Sequence, residues 1–313
     1  MATVSDVVIR FRQEVDDAEL PGAGDDADSL WKTDEVLRYL DLAHKEFARE
    51  TRLLRDSSSA LTTLVPEPAS AWLSLSRRII KIVRATGPQG GKMALREFHE
   101  MDAGVVGDDY GVSLTTQWES TQGVPQVLIT DMEQDKLRLY PIPAPLATLT
   151  LTTTLSGTET SVVVDETPPS GTPASGYLRI LLDSGSYLMQ AYTSRSGSTF
   201  TIPSTSYATV NATSGNTVYL ANAWTISLMV DRLPLYDIDG LNDSAYLEFT
   251  DPEHIEAIVV YMKHRAYLKQ DADTYDKDLS DRMLRDFLLL AAKHKRDASR
   301  VRTRVGSVRY GGL

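Results

Sequence analysis

The chain has no cysteine among its 313 residues. Disulfide scaffolds, Cys-ligated zinc, iron–sulfur clusters and thiol nucleophiles are therefore excluded. Long apolar runs are missing as well. Ala257–Met262 and Phe287–Ala292 reach only six residues each, against the roughly 20 that a membrane-spanning helix needs. Met1–Asp17 carries Arg10 and Arg12 inside an amphipathic pattern and lacks the apolar segment of a secretory signal, which predicts synthesis in the cytoplasm and no membrane association. Histidine is scarce: His44, His99, His254, His264 and His294 are all there are, with no H-E-x-x-H and no pair at i, i+4. The sequence also lacks G-x-S-x-G, G-x-x-x-x-G-K-[ST] and G-x-G-x-x-G, and its loop glycines follow no strand-to-helix switch that would cradle a phosphate. No catalytic residue, metal ligand or cofactor site is assigned.

Carboxylates are present in clusters. Asp271, Asp273, Asp276 and Asp278 lie within eight residues, and Asp237 and Asp239 sit near Asp243. Neither group has the glycine and glutamate spacing of a calcium loop, so they read as helix caps and solvated loop residues. Glu97, Glu100 and Asp102 read the same way, because spacing alone cannot set two carboxylates across a cleft.

Charge is unevenly distributed. Net charge is −11, yet residues 293–313 hold seven Lys or Arg against Asp297 alone, a local +6 that leaves −17 on the rest. An acidic body does not suit a dedicated duplex-DNA binder, which needs a basic face. The basic tail suits nucleic acid, an acidic partner surface or a neighbouring copy of the body.

Periodicity divides the chain. Val4, Val7, Val8, Phe11 and Val15 recur at helix spacing, and Thr33 is the expected N-cap of a second helix with Val36, Leu40, Ala43 and Phe47 on one face. From about Leu61 to Leu151 the signals are those of strands: Ile79–Val83, a hairpin of Gln126–Thr130 with Lys136–Tyr140, an end of pairing at Pro141 and Pro143, and a strand over Leu146–Leu155. Residues 152–222 contain 26 Ser or Thr and alternate over short segments, which predicts a small sandwich or barrel. Thr225–Leu235 resumes the strand pattern. Asp251-Pro252 opens a helix carrying Ile255, Ile258, Val259, Met262 and Ala266, and Leu279, Met283, Phe287 and Leu290 form the stripe of another. Asp297–Leu313 reads as extended, with Arg300, Arg302 and Arg304 along one side.

These segments predict an α+β protein: a helical bundle (N-terminal helices plus a C-terminal αα-hairpin) with an antiparallel β domain and an inserted small all-β module. The expected divisions are a body over 1–151, helices then strands, the inserted Ser/Thr-rich module over 152–222, the body continued over 223–292 and a basic extended tail over 293–313. Tyr177, Tyr187, Tyr192, Tyr207 and Tyr219 in the inserted module leave open a second function, glycan or receptor binding.

Four segments in order carry a resemblance. Trp31-Lys-Thr-Asp34 through Arg52, Gly123-Val-Pro125 followed by Lys136-Leu-Arg-Leu-Tyr140-Pro-Ile-Pro143, Asp231-Arg-Leu-Pro234-Leu235, and His254–Asp278 together resemble the head-to-tail adaptor (connector, or head-completion) proteins of tailed bacteriophages. The resemblance spans about 1–151 and 223–290 and leaves 152–222 outside it. It implies a non-enzymatic virion protein at the head–tail junction, made in the host cytoplasm and assembled as a homo-oligomeric ring of about twelve copies. Its implied partners are the portal protein, a tail or nozzle protein and further copies of itself. Phage double-stranded DNA would pass through the lumen without specific binding. In such adaptors the C-terminal segment embraces the portal, which assigns Arg300, Arg302, Arg304, Arg309 and Tyr310 to portal docking.

Overall fold

The computed structural model describes residues 2–17, 29–102, 118–203, 211–241, 247–270 and 274–304, the last four as backbone alone. Its helices are α1 (Val4–Glu14), α2 (Thr33–Thr51), the short α3 (Phe98–Asp102), α4 (Pro252–Tyr267) and α5 (Lys277–Arg304). The strands begin with β1 (Arg55–Asp56), β2 (Thr63–Leu64), β3 (Trp72–Ser74), β4 (Ile79–Thr86) and β5 (Lys92–Arg96). They continue with β6 (Gln122–Gly123), β7 (Val127–Ile129), β8 (Lys136–Tyr140), β9 (Ile142–Pro143), β10 (Ala147–Thr150) and β11 (Ser161–Val163). The last six are β12 (Gly176–Leu181), β13 (Tyr187–Tyr192), β14 (Ser194–Ser196), β15 (Thr199–Thr201), β16 (Thr217–Leu220) and β17 (Ile226–Arg232). Two compact units result, one from residues 1–56, 78–81 and 230–313, the other from 57–77 and 82–229. The chain passes between them four times: after Asp56, after Arg77, inside β4 and inside β17.

The first unit is helical. Thr3 and Asp6 cap α1 reciprocally, the Thr3 hydroxyl accepting from the Asp6 N–H and the Asp6 carboxylate from the Thr3 N–H. The N-cap of α2 is Lys32, one residue before the expected Thr33. The Thr33 hydroxyl instead accepts from Arg12 at 3.2 Å, while Glu35 reaches back to the Lys32 N–H at 3.3 Å. Val36, Leu40, Ala43 and Phe47 are all buried and meet Val4, Val7, Val8 and Phe11 of α1 and the expected face of α4 in one core. Asp251 caps α4 through the Glu253 N–H, with Pro252 in the first turn. α4 and α5 run antiparallel: His264 meets Ser280 at one end and Glu253 meets Lys293 at the other.

Helix α5 departs from expectation twice. Its buried residues are Ser280, Phe287, Ala291 and His294, so Leu279, Met283 and Leu290 lie at the margins of the buried face. A serine holds a core position because its hydroxyl is hydrogen-bonded to the His264 carbonyl at 2.9 Å. The helix also continues to Arg304, which corrects the extended reading of Asp297–Arg304. Ala298, Arg300 and the other straight-chain residues there are good helix formers, and cations in the last turns favour the helix C-terminus.

The second unit is built on sheets. Strands order β17-β4-β5-β7-β8-β3, with β2 beside β17. The hairpin of β7 and β8 is as expected, Leu128 opposite Leu139. The β domain is largely antiparallel, as expected of an α+β chain, with two parallel pairs, β5 with β7 and β6 with β9. β8 ends at Tyr140, directly before Pro141, as expected, but Pro143 lies inside β9 and does not end pairing. Ile142 donates to Thr121 and Ala144 donates to Gly123, one on either side of Pro143, so the ladder never calls on a proline N–H. Met101, Trp118, Val127, Ile129 and Tyr140 share a small core there.

The Ser/Thr-rich stretch forms two further sheets, β10-β16-β12-β13 and β11-β15-β14. Leu178, Ile180, Val218 and Leu220 from one and Val162 and Phe200 from the other share a core, the arrangement of a small sandwich. β10 pairs along its length with β16, Ala147 opposite Leu220, so the sandwich takes in residues ahead of the composition change at Thr152.

Candidate functional site

The segments that carried the resemblance hold the fold together. Trp31 is buried edge-on to Phe11 at 6.0 Å and Tyr267 at 6.3 Å, and its indole N–H donates to the Ala266 carbonyl at 3.4 Å. Lys269 reaches the Leu30 carbonyl and the Glu35 carboxylate, both at 3.0 Å. The first and last of the four segments are thus latched to each other. In Asp231-Arg232, the first side chain pairs with Arg55 at 2.9 Å. The second lies between Asp56 at 2.7 Å and Glu248 at 2.8 Å. Arg138 of the Lys136–Tyr140 segment lies against the rings of Trp118 at 4.9 Å and Trp72 at 5.6 Å.

Four of the five histidines, His44, His254, His264 and His294, are packing residues. His44 is fully buried against Phe249 at 5.1 Å, and neither ring nitrogen has a hydrogen-bond partner among the described residues. Burial pulls its pKa down to about 4, keeping the ring neutral. His254 and His294 meet edge-on at 4.8 Å beside Phe47, and burial, then the neighbouring His294, lowers the pKa of His254. His264 Nδ1 lies 2.8 Å from the Ser280 hydroxyl, the spacing of a nucleophile and its base. The pair is buried and its hydrogen bonds are spoken for: the hydroxyl donates to the His264 carbonyl and Nδ1 lies 3.0 Å from the Ser280 carbonyl.

Glu97, His99 and Asp131 place ligand atoms within 4.8 Å of one another, a grouping that sequence spacing did not reveal. All three are exposed, and Asp131 accepts from the Phe98 N–H at 2.6 Å while Glu100 accepts from the Glu97 N–H at 3.1 Å, the chemistry of a helix start. Asp237 is held by Lys45 at 2.6 Å and Arg78 at 3.0 Å, hydrogen bonds that lower its pKa. Asp276 accepts from the Leu279 N–H at the start of α5. Asp243, Asp271 and Asp273 lie outside the described residues.

Of the docking residues expected in the tail, Arg300 is exposed on α5 with its guanidinium 3.8 Å from Asp297. Arg302 and Arg304 fall within the same helix, where residues two apart do not share a side as they would in a strand. Arg309 and Tyr310 lie outside the described residues. Sequence reasoning missed Leu288 and Leu289, which project from α5 with 45% and 70% of their surface exposed. The signal was available, since both lie off the stripe that Phe287 and Leu290 define.

Among the described residues no helix is long and apolar enough to cross a membrane. No curated protein matches the chain. A family model described as SU10 adaptor protein matches residues 2–201. That match runs into the sandwich, which the resemblance left outside, and stops short of β17 and the C-terminal hairpin. The chain belongs to the SU10 adaptor protein family, and is thus a structural adaptor of a bacteriophage virion.

Proposed function

We propose that the chain closes into a ring, of about twelve copies as the resemblance implies, that joins the capsid portal to a tail or nozzle protein and lets DNA pass through its lumen. The observation that carries this reading is the family match over residues 2–201. Charge supports it: a body of −17 repels passing phosphates, whereas a basic lumen would hold them. A ring needs two different faces on each copy, and the exposed pair Leu288–Leu289, with Arg282, Arg285, Lys295 and Arg296 and the acidic Asp281 exposed around it, is a net-basic apolar surface suited to an apolar partner rimmed with acid. The basic end of α5 and the residues after it, Arg300, Arg302, Arg304, Arg309 and Tyr310, dock the portal in this reading. Residues 152–222 would be an insertion in the adaptor body.

Electron microscopy of the chain mixed with its cognate portal tests the proposal. The comparison is a chain ending at Ala298, which keeps the buried His294; a cut at Ala292 would remove that ring from the core. An added ring with the portal's symmetry, lost on truncation at Ala298, is the expected result. A bare portal with the full chain refutes it. Excising residues 147–220 separates the adaptor from a receptor-binding reading, because an adaptor without its sandwich still joins the portal.

A further inference from the structure

The sandwich and the segment that leaves it form an open cleft of about 380 Å³, within the range of small-molecule sites. Its lining combines Tyr177, Trp224, Asn222, Ser175 and Thr225 with small or apolar residues, and none of the lining residues is charged at neutral pH. Tyr177 is 40% exposed and Trp224 is half-buried, so both offer ring surface. Five polar groups there have no hydrogen-bond partner among the described residues: the Tyr177, Ser175 and Thr225 hydroxyls, the Trp224 indole N–H and the Asn222 carbonyl oxygen. The Asn222 amide is oriented all the same, because its N–H group donates to the Ala144 carbonyl at 2.7 Å. The wall is equally fixed. Tyr192 is buried with its hydroxyl donating to the Pro173 carbonyl at 3.1 Å, and a Cβ at Gly176 would lie 3.0 Å from that hydroxyl, so any side chain there would press into the ring.

We propose that this cleft binds the exposed end of a neutral saccharide. Charge selects the ligand class: a phosphate, a nucleotide, an acidic sugar or a cation would find no counter-charge in the lining. A pyranose pairs C–H faces with hydroxyls that both donate and accept, which matches ring surface set among hydroxyl and indole groups and an amide oxygen that have no partner among the described residues. The other tyrosines of the sandwich are differently placed. Tyr187 is covered by the Arg179 guanidinium at 3.8 Å, Tyr192 is buried, and Tyr219 lies against Tyr187 at 6.1 Å; Tyr207 lies outside the described residues. The proposal does not depend on the adaptor reading, and each can fail alone.

Saturation-transfer NMR on the full chain provides the test, with methyl glucoside, methyl galactoside, N-acetylglucosamine, maltotriose and chitotriose as probes. Saturable transfer to the ring protons of at least one probe is expected, weakened about tenfold by Tyr177→Ala and by Trp224→Ala and unchanged by Tyr187→Phe. Should Trp224→Ala unfold the sandwich, Ser175→Asp at the exposed rim brings a charge to the cleft without disturbing the core and should weaken binding as much. The proposal is overturned if no probe shows transfer, if binding persists through Tyr177→Ala and Ser175→Asp, or if a proline-rich peptide binds the cleft and none of the saccharides does.

Discussion

Acidification should loosen the helical unit through His44. Its imidazole is fully buried and neither nitrogen has a partner among the described residues, and burial lowers its pKa from 6.5 to about 4, outweighing Glu248 and Asp41, which pull upward. A histidine with a depressed folded pKa takes up its proton more readily when unfolded, so stability is intact above the unfolded value and falls as the pH drops below it. With about 1.4 kcal/mol per pKa unit, a step from about pH 7.5 to about pH 5 costs about 2 kcal/mol from this ring, and the full shift is worth about 3 kcal/mol at still lower pH. The lowered pKa values of His254 and His264 act in the same direction. The measurement is urea denaturation followed by far-UV circular dichroism at both pH values, on the native chain and on His44→Leu. Carboxylate titration is common to both proteins and cancels in the comparison. The variant should lose about 2 kcal/mol less than the native chain over that step. Equal pH dependence in the two proteins, or an NMR titration placing His44 near 6.5, refutes the argument.

Arg232→Met leaves Asp56 and Glu248 facing each other without their shared cation, so urea denaturation should show a loss of about 3 kcal/mol. Phe287→Ala removes a fully buried ring beside Phe47 and Tyr261, and the same assay should register a loss of about 3–5 kcal/mol. Leu289→Ser touches a side chain that is 70% exposed and should shift stability by less than about 0.5 kcal/mol, while light scattering in the presence of the portal reports lost assembly.

Where a side chain's role follows from local spacing, the sequence was enough to place it. The stripe from Val36 to Phe47 and the Asp251-Pro252 helix start needed only periodicity and capping chemistry. What it could not show depends on residues far apart in the chain. Thr33 does not cap its helix because Arg12 claims its hydroxyl, and Ser280 sits in the core because His264 is opposite. Pro143 lies in a ladder because its two neighbours make the hydrogen bonds. The basic run after Ala292 looked extended because its apolar period stops, yet exposed helix needs no apolar period. In the cleft, Tyr177 stood out by composition, whereas Trp224 did not, since it belongs to a strand-like segment whose approach to Gly176 only the fold reveals.

One pairing has a practical side. β10 and β16 are neighbours, with Ala147 opposite Leu220 and the Leu146 N–H bonded to the Leu220 carbonyl at 2.8 Å, so the polypeptide enters and leaves the sandwich about 5 Å apart. Whatever is carried between those two points leaves the path of the remaining chain unchanged. The position is a socket: a different folded cassette with adjacent ends, or a displayed antigen, can be spliced there without retraining the scaffold on either side.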